Sequence, residues 1–296
     1  MTRPRIADVV RSGRVLVSDG AWGTYAAQLG LAADECPEKW NTTRPDQILF
    51  IAQSYLAAGA DLVETNSFGG TSFRLGAHGL AGREDELNLA AARLSRAAAG
   101  EDHWVLGSMG PSGAGYQLLL GEIEPEAIYA AFAAQAVALE RGGVDAACVE
   151  TMMGIEEATL AVQAVKESTA LEIITTFTFS QTGPNEFHTM DGAEPADCAL
   201  AALAAGASIV GANCCEGIEQ MIGIAAQMRA AAPEAPIMVQ ANAGLPVVVD
   251  GVVTYPATPA AMAAHVPALL AAGASIIGGC CGTTPDHIKA IKAALR

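Results

Sequence analysis

One phrase recurs along this chain and restricts its fold more than any other feature. Ala57-Ala58-Gly59-Ala60-Asp61-Leu62-Val63-Glu64 resembles Arg141-Gly142-Gly143-Val144-Asp145-Ala146-Ala147-Cys148-Val149-Glu150. It returns as Ala204-Ala205-Gly206-Ala207-Ser208-Ile209-Val210-Gly211, and almost verbatim as Ala271-Ala272-Gly273-Ala274-Ser275-Ile276-Ile277-Gly278. Each copy ends a helical pattern at a glycine suited to a left-handed cap, then starts an apolar run. A helix-to-strand junction repeated in this way is the mark of a βα array.

Apolar runs bounded by turn residues predict eight strands: Val15–Ser18, Leu62–Thr65, Val105–Ser108, Ala147–Glu150, Ile173–Thr176, Ile209–Ala212, Ile237–Gln240 and Ser275–Gly278. Helical patterns lie between them at Pro45–Ala58, Asp85–Ala99, Pro125–Arg141, Ile155–Glu167, Pro195–Ala205, Ile218–Ala232 and Pro259–Ala272. The strands are apolar throughout and do not alternate, so helices cover both faces of a parallel sheet. Eight such units in 296 residues predict an α/β protein, a single-domain (β/α)8 TIM barrel over 1–296. A doubly wound open sheet is the alternative, because strand count does not show closure.

In a barrel the chemistry gathers at the C-terminal ends of the strands. Those ends read Asp19-Gly20-Ala21-Trp22-Gly23-Thr24, Asn66-Ser67-Phe68-Gly69-Gly70, Met109-Gly110-Pro111, Glu150-Thr151-Met152, Cys214-Cys215, Ala241-Asn242-Ala243-Gly244 and Cys280-Cys281. Polar, glycine-rich and thiol residues concentrate on one rim. Gly278-Gly279-Cys280-Cys281-Gly282 turns directly after an apolar run, and Thr283-Thr284-Pro285-Asp286 has the form of a helix cap and first turn.

Cys214, Cys280 and Cys281 bring three thiols from two strand ends, which suits zinc with an open fourth position. Burial as small apolar residues is the plainer reading, and it suits Cys36, Cys148 and Cys198. A disulfide between adjacent residues is strained. Cys215 stays ambiguous, since an inward fourth thiol closes the site into a structural one. The histidines, His78, His103, His188, His265 and His287, show no ligand spacing and read mostly as surface or loop residues.

The formal charge, 16 − 32 = −16, argues against nucleic acid and anionic membranes as partners. Seven cysteines, four of them in adjacent pairs, and an N-terminus with no secretory signal point to a reducing cytoplasm. The run Gly251–Pro285 carries no Asp, Glu, Lys or Arg, yet its prolines and glycines keep it from reading as a membrane span.

Together, Asp19-Gly20-Ala21-Trp22-Gly23-Thr24, Glu64-Thr65-Asn66-Ser67-Phe68, Gly211-Ala212-Asn213-Cys214, Asn242-Ala243-Gly244 and Gly278-Gly279-Cys280-Cys281-Gly282 resemble the signature blocks of the zinc-dependent homocysteine S-methyltransferase family. The resemblance runs in order over nearly the whole chain. It implies Zn²⁺ on Cys214, Cys280 and Cys281, with Cys215 an extra thiol the family does not require. It further implies that homocysteine, or a related thiol, enters as the fourth ligand, loses its proton and accepts a methyl group to give methionine. Asp19 and Glu150 then hold the substrate ammonium, and the amides around Gly20, Ala21 and Gly23 hold its carboxylate. The Asn242 side-chain oxygen occupies the fourth position before substrate arrives, or else belongs to a plain turn. Glu64, Thr65, Asn66 and Ser108 orient the rim through hydrogen bonds.

A quaternary ammonium donor calls for an aromatic cage, for which Trp22, Tyr25, Trp40 and Phe68 are available. The aromatic-rich block that betaine users carry is here Ser67-Phe68-Gly69-Gly70-Thr71. That departure favours a donor partner in the form of a separate methylcorrinoid protein, approaching over the small residues Gly69, Gly70, Gly113, Ala114 and Gly115. A small sulfonium or ammonium donor is the alternative. Two rival functions stay open: a zinc methyltransferase for another thiol in corrinoid-linked demethylation, and a non-catalytic barrel with four thiolates closed on zinc.

Overall fold

Parallel strands form at each of the eight predicted places: β1 (Leu16–Val17), β2 (Leu62–Glu64), β3 (Trp104–Met109), β4 (Ala146–Met152), β5 (Glu172–Phe177), β6 (Ile209–Cys214), β7 (Ile237–Ala241) and β8 (Ile276–Gly279). The structure, a computed structural model, describes residues 3–249 and 252–295. Strands neighbour one another in chain order from β2 to β8, and β1 pairs with β8 through Leu16↔Ile276 and Val17↔Ile277. The sheet therefore curls until β1 and β2 meet.

At that seam, side chains take over from ladder bonds. Asp61 N donates to Val17 O at 2.7 Å, and the Asp61 carboxylate accepts Val17 N at 2.9 Å. Higher up, the Asp19 carboxylate accepts Glu64 N at 2.8 Å. The result is a nearly closed (β/α)8 barrel, and the open-sheet alternative falls away.

The predicted helices appear, with one change. Instead of one helix over Pro259–Ala272 there are two, Pro259–Ala264 and Val266–Ala271. Pro267 has no N–H to continue the first helix, and its fixed φ suits the first turn of the second. Small residues let the outer helices pack closely. A Cβ on Gly142, in the helix Pro125–Gly142, would collide with Ala92 of the helix Glu84–Ala99.

The N-terminal end of the barrel is stoppered by a short helix, Ile6–Arg11, that the sequence reading did not foresee. Ile6, Ala7 and Val10 are buried against Leu62, Trp104, Leu106, Ile174 and Met238. Glu172 satisfies the free amides at its start, accepting Ile6 N at 2.7 Å and Ala7 N at 3.1 Å. Burial of Ile6 alone contributes about 1.5–3 kcal/mol.

Two hairpins rise from the opposite rim, Ser180–Gly183 with Glu186–His188 and Val247–Val249 with Val252–Thr254. Gly251, at the head of the charge-free run, lies outside the described residues. No described helix is long and apolar enough to cross a membrane. Thr284 and Pro285 do cap the last helix. His287 is buried there, its Nδ1 accepting Thr284 N at 3.1 Å and its Nε2 donating to Ala257 O, 2.9 Å away.

Candidate metal centre and its cavity

Cys214 and Cys215 both adopt left-handed backbone conformations, φ 58° and 55°. Two such residues in succession break the strand rule that neighbours face opposite sides of a sheet, and they cost backbone strain. Local hydrogen bonds hold the turn: Asn242 N donates to Cys214 O at 3.2 Å, and Asn242 Nδ2 donates to Cys215 O at 2.7 Å.

The turn separates the two thiols. Cys214 Sγ lies 2.9 Å from Cys280 Sγ, and with Cys281 these sulfurs all fall within 4.8 Å of one another. Cys215 Sγ instead sits under the next strand end, 3.3 Å from the Phe179 amide that donates to it, and its own S–H reaches Asn213 O at 3.4 Å. Burial pushes the Cys215 thiol up to about 11. The cluster thus has three sulfurs, and the neighbour is a structural thiol.

Cys280 and Cys281 hang from the end of β8. Cys280 N donates to Ala241 O at 2.8 Å, and Cys281 O accepts Ala243 N at 2.9 Å. Gly282 (φ 79°) then reverses the chain beneath Tyr255, whose ring a Cβ there would strike. Hydrogen bonds from Cys214 and Cys280 hold the Cys281 thiol down at about 3.

Beside the thiols lies a cavity of about 330 Å³, walled by Gly20, Ala21, Trp22, Thr65, Asn66, Ser108, Glu150 and Thr151 among others. Among the described residues, no Lys, Arg or His lines it. Ser108 Oγ donates to Glu150 Oε1, and Asn213 Nδ2 donates to Glu150 Oε2 at 3.3 Å. Burial, with the nearby Asp19 and Cys281 charges, raises Glu150 to about 7. Thr65 Oγ1 accepts Ser108 N at 3.0 Å, while Asn66 Nδ2 binds Pro37 O and Asn41 Oδ1 at 2.8 and 2.9 Å.

Four expected site residues, Asp19, Gly20, Ala21 and Asn242, have neighbours or positions of their own. Asp19 is 0 % exposed and is not in the cavity wall. Its Oδ2 is taken by Trp22 Nε1 at 2.9 Å and by Glu64 N, because the seam between β1 and β2 needs an acceptor there. Burial raises its carboxyl to about 6. The Ala21 amide is likewise engaged, donating to Thr283 Oγ1 at 3.1 Å. Gly20 packs so closely that a Cβ would come within 2.6 Å of that same hydroxyl. Asn242 lies outside the wall, but its buried Oδ1 has no partner among the described residues.

Other side chains gain importance that the residue patterns did not predict. Asn213 links Glu150 to the thiols, accepting Thr151 N at 2.8 Å and lying 3.9 Å from both Cys214 Sγ and Cys280 Sγ. Gln240 joins Glu64, already expected at the rim, in the wall with Glu150. The one signal for Gln240 was a polar residue closing an apolar strand. Of the four available aromatics, Trp22 and Phe68 line the cavity. Tyr25 packs on Phe50 and Tyr55, and Trp40 is buried under Arg44.

A family model described as homocysteine S-methyltransferase matches residues 16–295. The methionine synthases of Mycobacterium leprae (strain TN) and Mycobacterium tuberculosis (strain ATCC 25618 / H37Rv) are 35% and 34% identical to this chain over 304 and 307 residues, covering 95% and 97% of it. The chain spans only 24% and 25% of their lengths. Among solved structures, the metallated form of the homocysteine methyltransferase MmuM from Escherichia coli has a TM-score of 0.77 at 24% identity, covering 94% of this chain and 96% of that one. Its oxidized form has a TM-score of 0.76 at 27% identity, with 94% and 95% covered.

Proposed function

The chain belongs to the homocysteine S-methyltransferase family, and from that premise we propose that it methylates the sulfur of homocysteine at a zinc ion held by Cys214, Cys280 and Cys281. The observation that carries this is the convergence of three thiols, and not four, beside an acid-walled cavity without a cation. The donor set fits zinc, which takes three protein ligands and one open position at catalytic sites. The unpartnered Asn242 oxygen, on the residue that braces the Cys214–Cys215 turn, fits a cation nearby as well. When bound, zinc supplies the acidity that lets an added thiol enter as a thiolate at neutral pH.

The protein's own groups do the rest. Glu150 accepts the substrate ammonium, aligned by Ser108 and Asn213. The substrate carboxylate is left to the backbone around Gly20 and Gly23, since Ala21 N is committed to Thr283. Thr65 orders Ser108, and Asn66 fixes the loop at Pro37 that forms part of the wall. Asp19 supports this arrangement from behind by fastening Trp22.

The methyl donor is a protein-bound corrinoid. Two wall aromatics make a sparse cage for a quaternary ammonium, which weighs against betaine. A small sulfonium donor is the second reading, favoured by the absence of any cation in the wall. Turning Cys215 away weighs against a closed four-thiolate storage site.

The test is methionine formation by zinc-loaded protein from homocysteine with methylcobalamin, S-methylmethionine, betaine and S-adenosylmethionine side by side. X-ray absorption at the zinc edge accompanies it and is expected to gain one sulfur when homocysteine is added. Four sulfurs before addition, with no methionine from any donor, would overturn the reading.

A further inference from the structure

Glu150 and Thr151 are neighbours on β4, yet both stand in the cavity wall. A regular strand sends successive side chains to opposite faces. Thr151 departs from that rule through a left-handed backbone, φ 58°, where the pairing of β4 with β5 shifts register between Val149 and Met152. The conformation is strained for a β-branched residue. Among the described residues, four besides the glycines have positive φ. Three of these, Thr151, Cys214 and Cys215, either bind Asn213 or follow it directly in the chain.

Asn213 fixes how Thr151 can bond. Its Oδ1 accepts Thr151 N and Thr176 Oγ1, both at 2.8 Å, so the orientation of its amide is set. Its Nδ2 therefore donates to Thr151 Oγ1, 2.6 Å away, and the hydroxyl has to send its own hydrogen elsewhere. Among the described residues that hydrogen has no acceptor. The same Nδ2 lies 3.9 Å from Cys214 Sγ and from Cys280 Sγ. A spare hydroxyl donor thus stands in the cavity wall at its sulfur end.

We propose that Thr151 donates this hydrogen to the sulfur of the bound thiol, a role that rests on the homocysteine reading. A thiolate is a charged acceptor, whereas a thioether sulfur accepts only weakly. The bond therefore favours the methyl acceptor over the methylated product, which helps the product leave. Asn213 is the positioning residue, holding the hydroxyl oxygen so that its hydrogen faces the guest. The strained backbone is what brings a donor to the sulfur while Glu150 keeps its own place in the wall.

The test compares binding of homocysteine and methionine, which share their amino and carboxyl ends, to zinc-loaded protein by titration calorimetry. Zinc content and thermal melting are recorded for each variant. Thr151→Val keeps the shape and removes the hydroxyl. It is expected to lose about tenfold to a hundredfold in affinity for homocysteine, the range for a hydrogen bond to a charged group, and much less for methionine. Thr151→Ser restores the hydroxyl and should recover most of the loss.

Unchanged homocysteine affinity in Thr151→Val overturns the proposal. An equal loss for both ligands also overturns it, because the residue would then act only by shaping the wall. So does Thr151→Ser binding homocysteine as weakly as Thr151→Val. If Thr151→Val fails to hold zinc, Thr151→Ala is judged by the same criteria. Wild type that binds neither ligand refutes the homocysteine reading itself.

Discussion

Adjacent residues can carry one chemistry apart because the backbone turns between them. Cys214 faces Cys280 and Cys281, while Cys215 is bound to the amide of Phe179. Replacing Cys280 or Cys281 by Ala should therefore remove bound zinc. Cys215→Ala should keep it at a stability cost of about 1 kcal/mol. Zinc stoichiometry and thermal melting read both, and zinc lost from Cys215→Ala would show that the wrong member of the pair has been chosen. The carboxylate makes a pH prediction. Glu150 is raised to about 7, and only its ionised form attracts an ammonium. Affinity for methionine, which has no thiol to titrate, should fall about tenfold per unit as pH drops below about 7, and level off about one unit above. Calorimetry across pH checks this, and a flat profile would remove Glu150 from the ammonium site. The thiol set was legible because Gly-Gly-Cys-Cys-Gly makes poor apolar packing. Asp19 was not, since nothing local says that a strand-end carboxylate must caulk the gap between β1 and β2. Gln240 was hidden for a similar reason: its partner Glu64 is 176 residues away in sequence.

At the scale of elements, the recurring phrase has one physical meaning in all four copies. The amide of the residue after Gly-Ala or Gly-Val donates to the preceding barrel strand around the circle: Asp61 to Val17 O, Asp145 to Val105 O, Ser208 to Ile173 O and Ser275 to Ile237 O. Three of the side chains then accept the amide that strand leaves free: Asp61 from Val17, Asp145 from Val105 and Ser275 from Ile237. Asp145 also anchors Arg3 and Arg96. Asp145→Ala should cost about 1–3 kcal/mol, because it leaves the Val105 amide without its side-chain acceptor and removes the carboxylate partner of two guanidinium groups. Chemical denaturation measures this, and zinc stoichiometry should stay at the wild-type level. Strand positions were readable because an apolar run after a capping glycine is a local signal. The rim hairpins were not: Ser180, Gln181 and Thr182 are exposed and polar, so no burial pattern marks them. The helix break at Pro267 was in plain view, but the alanine run around it masked the lost N–H.

At the scale of the whole molecule, the two ends of the barrel have different work. One end is sealed by Ile6–Arg11 and an acidic cap from Glu172, so the interior there is buried and apolar. The other end holds thiols and carboxylates over the cavity. The barrel itself could be inferred from the spacing of eight similar units. The stopper could not, because a six-residue helix flanked by Arg5 and ending in Arg11 reads as a solvated tail until the hole it fills is known.

The pairing of Leu16 with Ile276 has a consequence for how the molecule comes into being. During synthesis the first strand waits, without its hydrogen-bonded neighbour, until some 260 further residues have emerged. At about 5–20 residues per second that is tens of seconds. Through that interval the nascent chain exposes an unsatisfied edge, and a chaperone would have its clearest opportunity just before the last cysteines leave the ribosome.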